Sequence, residues 1–264
     1  MAAADRLDYA SYLRLDELLA LQTPRSRPAE HDELLFIVIH QVYELWFKQL
    51  LHELDKLRPD LSAGRLFDAI ATLKRVRTIV KTLVGQLDIL ETMTPLSFAA
   101  FRERLETASG FQSVQFRELE FALGSKRAAT LADHPPGSAA RGRLERRLGQ
   151  PSVIDHFYDF LERRGVEIPP ALRAADPTEP NRPDPVVQRG LLRLYREAPD
   201  VAILLEMMTD LDEGLQEWRY RHVKLVERTI GNKRGTGGSS GVEFLRTTLF
   251  RPVFPDLWAI RHEL

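Results

Sequence analysis

Cysteine is absent from the 264 residues. That removes disulfides, thiolate metal sites and cysteine nucleophiles in one stroke. Surplus charge is absent too, since 37 Lys and Arg face 38 Asp and Glu. The balance gives no electrostatic reason to expect nucleic acid or an anionic membrane as partner, and the short basic run Arg141 to Arg147 reads as a solvated helix face. No uninterrupted apolar run approaches the roughly 18 residues of a membrane span. Met1 to Arg6 lacks the apolar core of a secretory signal, so a cytoplasmic protein is expected. Strand-like alternation and internal repeats are missing as well. H-E-x-x-H and G-x-x-x-x-G-K-[ST] do not occur and the strand-turn-helix setting of a G-x-S-x-G nucleophile is lacking, which argues against a zinc protease, a nucleotide P-loop and a serine hydrolase of that kind. Of the histidines, His52 has no second histidine in register, and His31, His134, His156 and His262 read as surface or loop residues.

What is present is helical periodicity, and the spacing predicts an all-α helical bundle. Residues 7–22 repeat leucine and tyrosine at helical spacing, ahead of a proline-containing break at Thr23 to Pro28. With so little apolar surface, this arm (residues 1–28) must dock on its own core or on a neighbouring subunit. Glu33 to Leu57 carries two apolar faces, one through Leu35, Val38, Val42, Leu45 and Leu54, the other through Phe36, His40, Tyr43 and Phe47. Such a helix is expected to be packed on all sides. Leu66 to Leu90 keeps a spacing near 3.5, the seam of a long helix running alongside others. Thr94-Pro95 opens another, with threonine placed to cap and proline in the first turn. Ser109 to Ser113 breaks it, and Val114 to Leu123 follows with Arg117, Glu118 and Glu120 on its polar side. Residues 125–186 are basic or proline-rich around an apolar helix near Val153 to Arg163. They read as a small helical excursion of the middle third with no part in the chemistry. Helix returns at 187–196 and 200–230, and Val242 to Leu249 and Leu257 to His262 close a single domain of 1–264.

Two histidines stand on apolar faces. Leu204, Met208, Leu211, Leu215, Trp218, His222, Val226 and Ile230 fall three or four apart, so His222 points inward. Phe36 and His40, four apart, project together. Either imidazole can be a satisfied core residue or a functional one. Arg102 shares a face with Phe98; it can snorkel to solvent or, facing a cavity, hold a carboxylate with its planar fork. The glycine-rich stretch Gly231 to Gly241 is a flexible linker or a loop whose Lys233, Arg234 and Thr236 fold over a ligand. Two inward histidines far apart in sequence, an arginine beside aromatics and a Gly-Thr loop fit a haem between helices, one histidine on iron and the other lining the substrate face. With no C-x-x-C-H motif, such a haem is held non-covalently.

The stretch Leu35-Phe36-Ile37-Val38-Ile39-His40-Gln41 with Glu44-Leu45-Trp46, then Met93-Thr94-Pro95 with Phe98 and Arg102, then Ser109-Gly110-Phe111-Gln112-Ser113 with Arg117-Glu118, and finally Arg221-His222 with Lys233-Arg234-Gly235-Thr236-Gly237-Gly238, resembles the tryptophan 2,3-dioxygenase family. The match runs from about Tyr9 to the C-terminus. The resemblance implies that His222 is the axial ligand of haem b iron and that Ser109 and Gly110 form the turn beside the haem. It implies His40 as the acceptor of the substrate indole N–H, Phe36 as the surface on which the indole packs, Arg102 as the clamp on the substrate carboxylate, and Thr236 as the residue that holds the ammonium. Tyr9, Tyr12 and Leu13 correspond to a segment that reaches a neighbour's pocket within a homotetramer, a dimer of dimers exchanging N-terminal arms. The implied activity is cleavage of the indole C2–C3 bond of L-tryptophan by O2 to N-formyl-L-kynurenine, the first step of the kynurenine pathway. One departure is Phe98, where some members carry a tyrosine whose hydroxyl helps bind the carboxylate. The competing expectations are a haem-dependent indole monooxygenase of the same superfamily, a non-catalytic haem-binding or gas-sensing protein, and a plain helical scaffold. Arg102 and Thr236 count against the first.

Overall fold

The computed structural model describes residues 6–233, 235 and 241–264, and among them every regular element is helical. In chain order these are α1 (Tyr9–Leu13), α2 (Leu15–Leu19), α3 (His31–Ser62), α4 (Leu66–Leu90), α5 (Pro95–Arg102), α6 (Val114–Ala122), α7 (Ala139–Leu148), α8 (Val153–Arg163), α9 (Pro170–Arg173), α10 (Pro185–Glu197), α11 (Pro199–Ile230), α12 (Val242–Arg246) and α13 (Pro255–Ala259). The fold class read from periodicity is the observed one.

The frame is three long helices, α3 against α4 and α4 against α11. The leucine and valine seam of α4, including Leu73, Val76, Val80, Leu83 and Leu87, is buried in this contact. Gly214 of α11 sets the approach, because a Cβ there would stand 3.0 Å from Val80 Cγ1. Around the frame, α5, α6 and α12 gather at one end of α3 and α11. Local chemistry starts the short helices where the sequence indicates. Thr94 Oγ1 accepts from the Ser97 N–H at 3.1 Å, and Ser113 Oγ accepts from the Phe116 N–H at 3.2 Å.

The middle third joins this core. In α8, Val153, Phe157, Phe160 and Leu161 are buried, and the helix packs on α3. Two other expectations are corrected. The helix α3 is not covered on all sides, since Leu34, Val38 and Leu45 are exposed. His134 lies in a loop as expected but is buried, and His156, read as a surface or loop residue, is half-buried within α8. By length and composition α3 can cross a membrane. Its buried Glu33, Glu53 and Asp60 are each tied to polar partners, which suits a core helix.

Candidate active site

A cavity of about 320 Å³ opens between α3 and α11, closed by α5, α6, α12 and the turn at Ser109 and Gly110. Its size falls in the range of small-molecule sites. From α3 it receives Phe36, His40, Tyr43 and Phe47, and from α11 it receives Trp218, His222 and Val226. The helical spacing in both sets is the reason the sequence delivers them to one space.

His40 is fixed by its own helix. Its Nδ1 lies 2.7 Å from the carbonyl oxygen of Phe36. A carbonyl only accepts, so Nδ1 carries the proton, and Nε2 of the neutral ring is an acceptor. The imidazole is accessible from the cavity, yet desolvation by the surrounding protein lowers the pKa of His40 below the usual histidine value, partly offset by that hydrogen bond and by the charge of Glu44. The Phe36 ring stands 4.0 Å from the imidazole, centroid to centroid.

His222 faces the same cavity from the other side. Burial, followed by the proximity of His40, pushes its pKa down to about 4. Its ring is therefore neutral at physiological pH, the form that can donate a lone pair to a metal. Trp218, one turn earlier, stacks on it with centroids 5.2 Å apart and planes 4° from parallel. Tyr43 packs edge-on against Trp218 at 6.4 Å and donates its hydroxyl to the Leu83 carbonyl at 2.6 Å. Burial raises that phenol to about 12, so it stays protonated.

Arg102, the last residue of α5, lines the cavity beside Phe98, and Ser109 and Gly110 line it from their turn. Phe36, His40, Arg102, Ser109, Gly110 and His222 are thus brought together. Tyr9, Tyr12 and Leu13 are not. They lie exposed on α1, with Tyr9 and Tyr12 76% and 73% accessible, away from the cavity of their own chain. Thr236 and Arg234 fall outside the described residues, although Gly235 and Gly241 on either side border the cavity.

One wall was not foreseen. Arg117, Glu118 and Glu120, expected on a polar helix side, are all buried. Arg117 and Glu120 meet the cavity together with Arg127 and Arg219. The charges of α6 gave the wrong signal, because helical spacing cannot tell a solvated polar face from a polar wall. Arg219 was within reach, since it precedes His222 by three residues and shares its side of α11. Nothing in the composition around Arg127 marks it as facing a site.

The family model described as tryptophan 2,3-dioxygenase matches residues 2–134 and 187–264. Named tryptophan 2,3-dioxygenases are similar over nearly the whole chain. One from Anaeromyxobacter sp. (strain K) is 56% identical over 259 residues, covering 98% of this chain and 96% of its own length. One from Herpetosiphon aurantiacus is 57% identical over 258 residues, covering 98% of both chains. One from Pseudomonas fluorescens is 41% identical over 264 residues, covering 99% of this chain and 92% of its own.

Proposed function

The chain belongs to the tryptophan 2,3-dioxygenase family, and on that premise we propose that it opens the indole ring of L-tryptophan with O2. The C2–C3 bond is cleaved, both oxygen atoms enter the product, and N-formyl-L-kynurenine is released. The observation that carries the reading is the pair of neutral imidazoles, His40 and His222, on facing helices of one largely aromatic cavity.

The residues fit a non-covalently held haem b. His222 offers a neutral ring held in plane by Trp218, and the space beside it is walled by flat apolar groups such as Phe47 and Phe116. His222 would ligate the iron, and the Ser109–Gly110 turn would border the macrocycle. When bound, the haem supplies the iron at which O2 is activated.

The chain's own residues do the positioning. His40 Nε2 accepts the indole N–H, because its other nitrogen is committed to the Phe36 carbonyl. A neutral imidazole suffices for this, so His40 orients the substrate without having to remove a proton. The Phe36 ring packs on the indole. Arg102 holds the carboxylate, and Thr236 the ammonium. Fixing both ends of the amino acid as well as its ring is worth several kcal/mol of barrier through orientation alone, on the order of the lower end of measured intramolecular effects. With phenylalanine at position 98, Arg102 carries more of the carboxylate contact.

The assembly in this reading is a cytoplasmic homotetramer in which the arm of one chain places Tyr9, Tyr12 and Leu13 at a neighbour's pocket. The exposed aromatic rings of α1 and the exposed leucines of α3 support it, since single subunits rarely leave such surface uncovered. Formation of N-formylkynurenine, followed by its absorbance, tests the activity. It should require haem, reductant, L-tryptophan and O2 together, and omission of any one should abolish it.

A further inference from the structure

We propose that Arg117, Arg127 and Arg219 receive the two propionate carboxylates of the macrocycle, with Glu120 as the strut that holds the guanidiniums in place. The inference rests on the haem reading above and extends it to residues that have no role there.

The starting point is a charge imbalance in a buried place. Arg117 and Glu120 are 4% and 5% exposed. Arg117 Nη1 donates to Glu120 Oε2 at 2.5 Å, and Arg127 Nη2 donates to both carboxylate oxygens at 3.0 and 2.9 Å. Arg219 Nη2 stands 3.8 Å from Oε1 of the same group. One carboxylate therefore serves three guanidiniums. The other acids nearby are engaged elsewhere. Glu118 pairs with Arg143, and Asp212, whose charge also acts on Arg219, already accepts from the Phe254 N–H and the Trp258 indole. Arg251 adds further positive charge close to Arg219.

Surplus charge at a water-poor wall is costly unless a counter-charge arrives. The Nε atoms of Arg117 and Arg127 are buried and lack any hydrogen-bond partner. Aromatic rings hold the guanidiniums without neutralising them. Phe111 and Phe116 lie 5.5 and 5.3 Å from the Arg117 guanidinium carbon, and Phe244 lies 5.7 Å from that of Arg127. All three arginines border the same cavity as His222. A ligand suited to this combination has a broad apolar body and two carboxylates at one edge, which describes a haem. The substrate's carboxylate is the other source of the same chemistry. It is single, however, and Arg102 on α5, outside the cluster, supplies a fork for it.

The test compares haemin with its dimethyl ester on the full-length chain, and measures haem loss to excess apomyoglobin from the holo-protein. Unmodified chain should bind haemin roughly tenfold or more tighter than the ester, as expected when charge-assisted hydrogen bonds are lost. Arg127→Gln and Arg219→Gln should accelerate haem loss and shrink that preference, while Arg127→Lys should recover part of it. KM for L-tryptophan should stay within about twofold for a site this cluster does not form. Equal binding of acid and ester by the unmodified chain overturns the inference but leaves the haem reading intact. An unchanged preference in both glutamine variants, with KM raised instead, assigns the cluster to the substrate carboxylate and also overturns it. Binding of neither porphyrin overturns the haem reading and the inference with it.

Discussion

His40 donates its Nδ1 proton to the carbonyl of Phe36 at 2.7 Å, within a single turn of α3. The bond decides which nitrogen faces substrate and makes the neutral ring the working form. Desolvation by the surrounding protein favours that form further by lowering the pKa. The acid limb of kcat/KM is therefore expected to fall with an apparent pKa below 6.5, and His40→Ala should lose that limb along with most of the activity. A limb at or above 7 would contradict a depressed pKa.

The same desolvation links stability to pH. In the unfolded chain, imidazoles protonate near 6.5, whereas in the fold His222 does so only near 4 and His40 below its usual value. Between these limits the unfolded chain binds more protons, so stability present above 6.5 is lost as pH falls toward about 4. Urea unfolding of the haem-free chain across that window checks the sign; stability that rises on acidification would refute it.

His222→Ala should leave a folded helical protein that purifies without haem, because no other described residue is proposed as an iron ligand. Circular dichroism and the absorption spectrum together read this out. Retained haem with a histidine-ligated spectrum would reassign the site.

Arg102→Ala should raise KM for L-tryptophan by roughly ten- to a hundredfold, the loss of a charge-assisted contact made before chemistry. Its effect on kcat should be smaller. Phe98→Tyr should act in the opposite direction and lower KM, since it restores a hydroxyl beside the same carboxylate. Steady-state kinetics of the two variants decide both points.

Asp212 is fully buried on α11 and accepts from the Phe254 backbone and from Trp258, which fastens the C-terminal segment to the frame. Asp212→Ala should cost about 1–3 kcal/mol by leaving those donors unpaired. Thermal unfolding should show a drop of several degrees.

Much of this was legible in the residues. The period of Leu204 to Ile230 brought His222 to the cavity, and Phe36 with His40 four apart set a second imidazole at its edge, accessible rather than in the core. The cap at Thr94 fell where side-chain chemistry puts it. The polar wall escaped, because Glu120 pairs with Arg117 on its own helix and with Arg127 and Arg219 from elsewhere in the fold, whereas a helical wheel assigns such residues to solvent. The exposed side of α3 escaped for the converse reason: Leu34, Val38 and Leu45 look like core in one chain, whatever covers them. Arg127 reaches the cavity from a stretch whose basic, proline-interrupted composition signals only surface.

The most direct test of the central claim is the mass of the product formed under isotopically labelled oxygen. Protein purified with haem, reduced, and given L-tryptophan and ¹⁸O₂ should yield N-formylkynurenine carrying two labelled oxygen atoms. A product with one labelled atom, or unchanged tryptophan from a haem-loaded protein, would contradict the account.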